Sequence, residues 1–367
     1  MNVRRNTAGH KLFFRLFPPP KVMLRKASGV DISDRAVRFV ELKPESDGFT
    51  LGRFGEVFIP QGVVEDGMIK DSEVLKEVLV NLRKEYRIDF VNASLPEEKA
   101  YLFRMKVPTL SSGETYENIA FQLEEYVPIK ASEAYFDFEV VKEAKEGEGG
   151  REVMVSVFPK EIVEGYLDVY TKAGLTPLAF EMEDSAIARA LVPTGDMGTY
   201  MLVDFGYYKT GITIVSESEV QFTTTIDFGS SEFIKAISNN FKVNEEEAEK
   251  MYQDGAFSKD GEYSGFTKIL LDSVRPLEED IDRHYIYWHN HSDNKEVASK
   301  TIDKIIICGE GASMEGIAEH MTLTLRRQVE TANIWQNAFS VDEYLPPISK
   351  LESLSYATAL GLALRED

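Results

Sequence analysis

The sequence is poor in cysteine and has no long apolar run. One cysteine in 367 residues excludes a disulfide framework, and Cys308 lies in the apolar run 305–309, so we expect a free, buried thiol and a reducing cytoplasm. No apolar stretch approaches the roughly 18 residues that span a bilayer. The stretch 12–17 ends at three prolines and is too short for a signal-peptide core. We therefore expect neither a membrane span nor export by a recognisable signal.

Segment 1–28 has no acidic residue, although the whole chain is strongly acidic. The chain contains 62 Asp and Glu against 41 Lys and Arg, which gives a net charge of −21. The basic residues of the segment are Arg4, Arg5, Lys11, Arg15, Lys21, Arg25 and Lys26. Removing these seven charges leaves −28 for the other residues, and a body with this charge repels nucleic acid. The basic segment is either a solvated leader or an interfacial anchor for anionic lipid or an acidic partner.

A near-repetition predicts how the chain is organised. A hydrophobic fraction of 43% supports packed cores, and the length predicts two to three domains. Val30-Asp31-Ile32-Ser33 and Val203-Asp204-Phe205-Gly206 each place an aspartate at the end of an apolar strand, 173 residues apart. One such turn means little, because Asp is a common turn former. Two copies at the starts of similar halves predict a duplicated α/β fold with a cleft between the halves.

A small α+β unit is predicted between these halves. The sequence predicts strands over 102–108, 135–141 and 153–158, a helix over 115–126 with Ile119, Ala120 and Leu123 on one face, and a second helix over 160–173. The glycine-rich stretch 142–152 is predicted to be a solvated hairpin tip. In the first half, a helix over 74–86 is expected, with Asp71 and Ser72 placed to cap it.

The two aspartates are suited to a nucleotide cleft. Mg²⁺ keeps several waters, which Asp31 and Asp204 could organise, while Gly206 would let backbone approach a phosphate and the Thr210 hydroxyl could donate to it. The apolar strand 305–308 ends in a Gly-x-Gly turn before a helix expected over 314–320, which is a plausible nucleotide contact. Without the third glycine this turn is no dinucleotide fingerprint, and no Walker A sequence occurs. The alternative is that both aspartates only close β-turns.

Together these motifs resemble the family of the type IV pilus assembly protein PilM, a relative of FtsA among the actin-like ATPases. The resemblance covers nearly everything from Gly29 onward. Its markers are the stretches 29–33, 64–71, 106–108, 126–128, 173–175, 202–206 with Thr210, 309–313 and 356–363.

The resemblance implies an α/β, actin-like ATPase (duplicated ribonuclease H-like) fold with two lobes and an inserted α+β subdomain of the FtsA/PilM type. The implied boundaries are a basic extension over 1–28; subdomain 1A over 29–92, 181–198 and 355–367; inserted subdomain 1C over 93–180; subdomain 2A over 199–230 and 303–354; and subdomain 2B over 231–302.

The resemblance also implies a function: a cytoplasmic scaffold of the pilus assembly platform at the inner face of the cytoplasmic membrane. Its partners would be the N-terminal tail of a PilN-like membrane protein and other platform components. A strand such as 135–141 could add the extended tail. The implied cofactors are ATP and Mg²⁺. The residues carried over are Asp31, Ser33, Asp34, Asp204, Gly206, Thr210, Glu249, Gly309 and Gly311 for nucleotide, Asp31 and Asp204 for Mg²⁺ through water, and Glu181 for positioning the attacking water.

Several positions depart from the family pattern. Asp34 places a carboxylate where small hydroxyl residues are usual, which repels a triphosphate by about 1–4 kcal/mol, although Arg35 could offset it. Tyr252 replaces a nucleotide-contacting lysine, Tyr207 is bulky for a phosphate turn, and Glu310 replaces a glycine. These changes argue against tight ATP binding and against efficient catalysis.

Two other functions are alternatives. The first is an active ATPase or a phosphotransferase of the same superfamily, such as a sugar kinase; a kinase would place a further catalytic Asp in a sugar-binding loop, and no such loop is recognisable. Polymerisation on a membrane, as in FtsA, would use a C-terminal amphipathic helix, whereas this sequence ends at 364–367 without one. The histidines 284, 289 and 291 are expected at a solvated helix end and not at a metal site.

Overall fold

A computed structural model describes residues 27–45, 48–142, 150–253, 265–291 and 301–365. The basic segment therefore lies outside the described residues up to residue 26, as do residues 143–149 of the predicted hairpin tip.

The first lobe is built on a five-stranded sheet. Its strands and main helices are β1 (Ser28–Ile32), β2 (Ala36–Glu45), β3 (Gly48–Phe58), α1 (Ser72–Tyr86), β6 (Phe90–Leu95), α3 (Lys160–Lys172), β10 (Thr176–Met182), α4 (Glu183–Leu191) and α10 (Ala357–Ala363). A short hairpin, β4 (Val64–Glu65) and β5 (Met68–Ile69), precedes α1. The strand order is β3-β2-β1-β6-β10, with β1, β2 and β3 antiparallel and β1, β6 and β10 parallel.

The second lobe repeats this topology. Its elements are β11 (Thr199–Phe205), β12 (Thr210–Ser216), β13 (Glu219–Ile226), α5 (Ser231–Phe241), α6 (Glu245–Gln253), α7 (Gly265–His291), β14 (Lys304–Cys308), α8 (Ile317–Leu325), β15 (Val329–Thr331) and α9 (Lys350–Ser353). The order β13-β12-β11-β14-β15 has the same antiparallel and parallel pairs as the first sheet. The predicted duplication is therefore present as two sheets of identical topology, with β1 and β11 at equivalent central positions.

The inserted unit is a three-stranded sheet covered by one helix. It comprises β7 (Tyr101–Val107), α2 (Ser112–Tyr126), β8 (Ala134–Lys142) and β9 (Arg151–Pro159), in the strand order β7-β9-β8. Ile119 and Leu123 of α2 are fully buried against Val153, Val155 and Val157 of β9 in a small core of the unit's own. Strand β8 pairs with β9 alone and leaves its other edge open among the described residues.

The insert is smaller than the predicted 93–180. Residues 90–95 and 176–182 are the parallel strands β6 and β10 of the first sheet. Helix α3, expected within the unit, buries Ile162, Tyr166 and Val169 in the first-lobe core because its apolar face meets α1. The rest of the predicted subdomain division stays a prediction.

Helix ends follow local chemistry. The Asp71 carboxylate accepts hydrogen bonds from the backbone N–H groups of Glu73 and Val74 at 3.2 and 3.1 Å, which caps α1 as expected. The helix predicted over 314–320 begins later, at Ile317. Residues 310–313 form a 3-10 turn, and Gly316, with φ of 90°, is the N-cap residue that precedes the helix.

No helix in the described ranges is both long enough and apolar enough to cross a membrane.

Candidate functional site

The cleft between the lobes is centred on Asp31 and Asp204. Asp31 lies near the end of β1, is 6% exposed, and accepts a 2.7 Å hydrogen bond from the Ser94 hydroxyl of β6. Its β2 partner in the ladder is Arg38. Asp204 occupies the equivalent place in β11, where the Cys308 thiol of β14 donates to its Oδ1 at 3.7 Å. The duplicated topology thus places the two aspartates in equivalent positions facing one cleft.

Burial weakens the acidity of both carboxyl groups, and repulsion by Asp31 adds to this effect at Asp204. Burial raises the pKa of Asp31, while the Ser94 hydrogen bond and the charge of Arg38 oppose this. Burial, followed by the negative charge of Asp31, raises the pKa of Asp204 to about 6. The cleft therefore favours cations or neutral groups over anions.

The first predicted phosphate turn is held by its own hydrogen bonds. The Ser33 hydroxyl donates to the Ala36 carbonyl at 3.2 Å. The Asp34 carboxylate accepts from the backbone N–H groups of Asp66 and Gly67 at 2.8 and 3.0 Å. Asp34 therefore fastens the β4–β5 hairpin, a role that the sequence did not reveal because its partners lie more than thirty residues away.

The second predicted turn is also internally bonded. The Thr210 hydroxyl, fully buried, donates to the Phe228 carbonyl at 2.7 Å, so that this hydroxyl is already engaged within the lobe. The Gly206 N–H donates to the Lys209 carbonyl at 2.9 Å, and a Cβ on Gly206 would come within 2.8 Å of that oxygen. Glycine is thus required by the hairpin itself, whether or not a phosphate approaches.

Gly309 and Gly311 lie at the end of β14 as expected. Gly309 has φ of 87°, and a Cβ there would lie 2.4 Å from Asp204 Oδ1, so a side chain would collide with the cleft aspartate. A Cβ on Gly311 would meet the Phe205 ring at 2.6 Å. The buried Tyr252 hydroxyl donates to the Gly311 carbonyl at 2.9 Å. The residue that replaces the family's lysine therefore packs inside the second lobe.

Glu249, predicted to contact the nucleotide, is paired with protein. Its carboxylate receives Arg35 from the first lobe, and Arg35 also reaches Glu310 at 2.6 Å. Arg38 reaches the other oxygen of Glu310 at 2.9 Å. The arginine expected to offset Asp34 therefore binds two other carboxylates.

Glu181 is directed away from the cleft aspartates. Its carboxylate is bound by Arg189 and, at 3.0 Å, by Arg365, and it lines a different cavity, described below. Glu183, two residues later, lines the cleft with Asp204. The geometry favours Glu183 over Glu181 as the carboxylate nearest the aspartate pair, and the catalytic role of Glu181 stays a prediction.

Sequence reasoning missed four acidic groups: Glu97, Glu98 and Glu183, which line the cleft, and Asp184, which is fully buried beside it. Glu97 and Glu98 follow β6, and Glu183 and Asp184 follow β10. Burial raises the pKa of Glu97 and of Glu183 well above its usual range, and neighbouring carboxylates add to the effect. Ligand-facing residues gather at the carboxyl ends of parallel strands, and this rule could have found both pairs.

With the lobes in this position, the cavities that the described residues form at the aspartate pair are too small for ATP. The two cavities lined by Asp204 measure about 110 and 80 Å³, whereas sites for drug-sized ligands span about 300–1,000 Å³. Across the described residues, no three His, Cys, Asp or Glu side chains converge to hold a metal ion. Residues 292–300, which include part of the predicted solvated helix end, lie outside the described part of the chain. Mg²⁺ held through water by Asp31 and Asp204 stays a prediction.

A larger cavity of about 510 Å³ separates the insert from the first lobe. The ladder aligns Tyr135, Asp137 and Glu139 of β8 with Phe158, Ser156 and Met154 of β9, so these side chains share the sheet face opposite α2. The facing wall is formed by β10 and α4, through Phe180, Met182, Ala188, Arg189 and Val192. We call this cavity the insert groove. Its lining combines apolar and polar side chains; the exposed carboxylates of Asp137 and Glu139 form an acidic rim, and Glu219 of the second lobe also lines it.

Comparisons with known proteins agree with this architecture. The family model described as type IV pilus assembly protein PilM matches residues 29–367. A structure of the "PilM-PilN type IV pilus biogenesis complex" is 21% identical, covers 93% of this chain and 98% of that chain, and has a TM-score of 0.76.

Two further structures share the fold at lower similarity. Ethanolamine utilization protein EutJ from Carboxydothermus hydrogenoformans is 17% identical, with 95% and 90% of the two chains covered and a TM-score of 0.54. MreB 5 of Spiroplasma citri bound to AMPPNP is 12% identical, with 94% and 95% covered and a TM-score of 0.52. The predicted actin-like fold with two lobes is confirmed.

Proposed function

Because the chain belongs to the family of the type IV pilus assembly protein PilM, we propose that it is a scaffold that docks the extended N-terminal tail of a PilN-like membrane protein. The observation that carries the proposal is the insert groove, a cavity of about 510 Å³ that is lined by apolar and charged side chains and bordered by β8, whose outer edge is open among the described residues. The similar solved structure is described as a complex of PilM with PilN.

The groove suits an extended peptide. An added strand would find unpaired N–H and C=O groups along β8, which supply affinity without regard to sequence. Alternate side chains of that peptide would enter the groove, where Leu102, Met154, Phe158 and Phe180 offer apolar contact. The acidic rim at Asp137 and Glu139 favours a peptide with basic residues at its other positions.

The proposed place of action follows from the partner. A tail that emerges from the cytoplasmic membrane would hold this chain at the inner face of that membrane, as a peripheral component of the pilus platform. This role as a scaffold requires neither catalysis nor bound ATP or Mg²⁺.

Filling the groove tests the proposal. Ser156 lies in mid-groove on β9, opposite Leu102 and Asp137. We expect Ser156→Trp to weaken the binding of a synthetic PilN-type N-terminal peptide by at least tenfold, which is about 1.4 kcal/mol, because the indole would occupy the peptide's space. Isothermal titration calorimetry measures this on protein whose fold is checked by circular dichroism.

Phe121→Ser is the matched control. Phe121 is 87% exposed on α2, on the opposite side of the same insert, and its change should leave peptide affinity unaltered. Absence of binding to the folded parent chain would remove the proposed partner. If the parent chain and Ser156→Trp bound the peptide with equal affinity, the peptide would dock outside the insert groove.

A further inference from the structure

Arg35 connects the first lobe to three elements of the second. It follows β1, and its guanidinium pairs with Glu249 on α6 and, at 2.6 Å, with Glu310 after β14. The same group lies 3.7 Å from the centroid of the Tyr207 ring, in the turn between β11 and β12, which is cation–π distance. We call these four residues the inter-lobe latch.

Arg38 adds a second arginine contact to the latch. Its guanidinium binds Glu310 at 2.9 Å and Glu56 at 2.5 Å, so that Glu310 is held between two arginines of the first lobe. The side chains of Arg35 and Arg38 are only 14% and 8% exposed. Solvent and salt screen such pairs less than they screen pairs on the surface, and loss of one partner leaves a charge poorly compensated.

A second set of contacts joins the lobes at the opening of the insert. Lys209 of the second lobe reaches Asp66 at 2.8 Å and Glu98 at 3.5 Å. The Thr225 hydroxyl on β13 donates to Glu97 at 2.9 Å. The aspartate pair is therefore enclosed by protein contacts on both sides.

A nucleotide would have to displace these contacts. A triphosphate is anionic, and it would meet Asp31, Asp204 and Glu183 in a cavity of about 80 Å³. Arg35, Arg38 and Lys209 are each bound to carboxylates of the protein. These carboxylates compensate the positive charges, so that the three side chains are not available to a phosphate. Arg35 thus joins Tyr207 and Glu310, two of the positions that depart from the family pattern, in one connected cluster.

We propose that the inter-lobe latch holds the two lobes closed in place of a nucleotide. Arg35 supplies the cation that bridges the lobes, Glu249 and Glu310 receive it, and Tyr207 covers it. The lobes therefore keep one relative position without ATP, and the residues that line the insert groove keep their positions as well.

Distance measurements between the lobes test the latch. Spin labels attached at exposed positions, Asn81→Cys of α1 and Asn239→Cys of α5, report the distance between the lobes by pulsed electron paramagnetic resonance. Native Cys308 should not react with the label because it is buried. We expect Arg35→Ala to lengthen the mean distance by more than about 2 Å and to broaden its distribution. Glu249→Gln is the milder second variant and should broaden the distribution to a smaller extent.

Arg53→Ala is the matched control. Arg53 pairs with Glu41 within the first lobe, so its loss removes an arginine–glutamate pair without touching the cleft. The distance should stay at the parent value. Unchanged distances in both Arg35→Ala and Glu249→Gln would overturn the latch.

Nucleotide addition gives an independent readout. We expect millimolar Mg-ATP to leave both the lobe distance and the melting temperature of the parent chain unchanged, because a ligand stabilises a fold only by binding to it. A melting temperature raised by several degrees would overturn the proposal, since the cleft would then be a working nucleotide site. The peptide experiment does not depend on this result.

Discussion

Single carboxyl groups in the cleft differ in what surrounds them. Asp31 has a hydroxyl donor in Ser94, whereas Asp204 has the weaker thiol donor of Cys308. Asp34, expected to repel a phosphate, instead receives two backbone N–H groups, which suits a charged carboxylate. The two aspartates occupy equivalent positions of the duplicated fold, but their hydrogen bonds stabilise the charged carboxylate to different extents.

Asp204 gives a prediction about pH. Its pKa is about 6 in the fold because of burial and Asp31, against about 3.9 in an unfolded chain. Between these values the folded state binds the proton more tightly, so the contribution of Asp204 to stability is lost as the pH rises from about 4 to 6. Asp204→Asn removes this titration and should stabilise the fold at pH 7.5 by roughly 1–3 kcal/mol, with little effect near pH 4.

Urea denaturation at the two pH values measures this difference. The groups that also face Asp204 are Asp31, Arg38, Glu183, Asp184 and Cys308, and all remain in the variant. Asp342→Asn, on an exposed loop, is the control and should change stability at neither pH. A destabilised Asp204→Asn at pH 7.5 would mean that the carboxylate is needed charged.

At the scale of elements, strands and helix starts follow the sequence closely. The sequence predicted the strands β7, β8 and β9, and the insert helix α2 begins with a capping box in which Ser111 and Glu114 satisfy each other's backbone groups. The insert has its own small core, so its helix depends on local interactions more than the central elements do.

Removing this cap should therefore be measurable. We expect Ser111→Ala to cost about 1 kcal/mol of stability, because the backbone N–H of Glu114 loses its acceptor at the helix start. Chemical denaturation followed by circular dichroism measures the loss. The neighbouring Ser112→Ala is the control, since Ser112 makes no capping bond; equal effects of both would contradict the capping role.

At the scale of the whole molecule, charge is unevenly divided along the chain. The seven basic residues before residue 27 precede a body with a net charge of −28, and that body begins at Ser28, where β1 starts. The positive charges of the basic segment predict attraction to anionic lipid, which would agree with the membrane-bound scaffold proposed above.

Deletion of residues 1–26 tests this membrane contact. We expect the full chain to sediment with vesicles that contain phosphatidylserine at low ionic strength, and the deleted chain to remain in solution. Phosphatidylcholine vesicles are the control and should bind neither chain. Equal sedimentation of the two chains with anionic vesicles would show that the basic segment makes no lipid contact.

The sequence by itself determined the duplicated architecture, the inserted unit and most element positions, because periodicity, capping and turn chemistry act between near neighbours. It also located Asp31, Asp204 and Gly309, since each ends a strand recognisable from its pattern. Only the tertiary structure decided that Arg35 and Glu310 meet from 275 residues apart, that Asp34 binds the β4–β5 hairpin, and that Glu183 instead of Glu181 lines the cleft. These outcomes depend on which strand ends converge and on the direction of each side chain, and no local pattern encodes either.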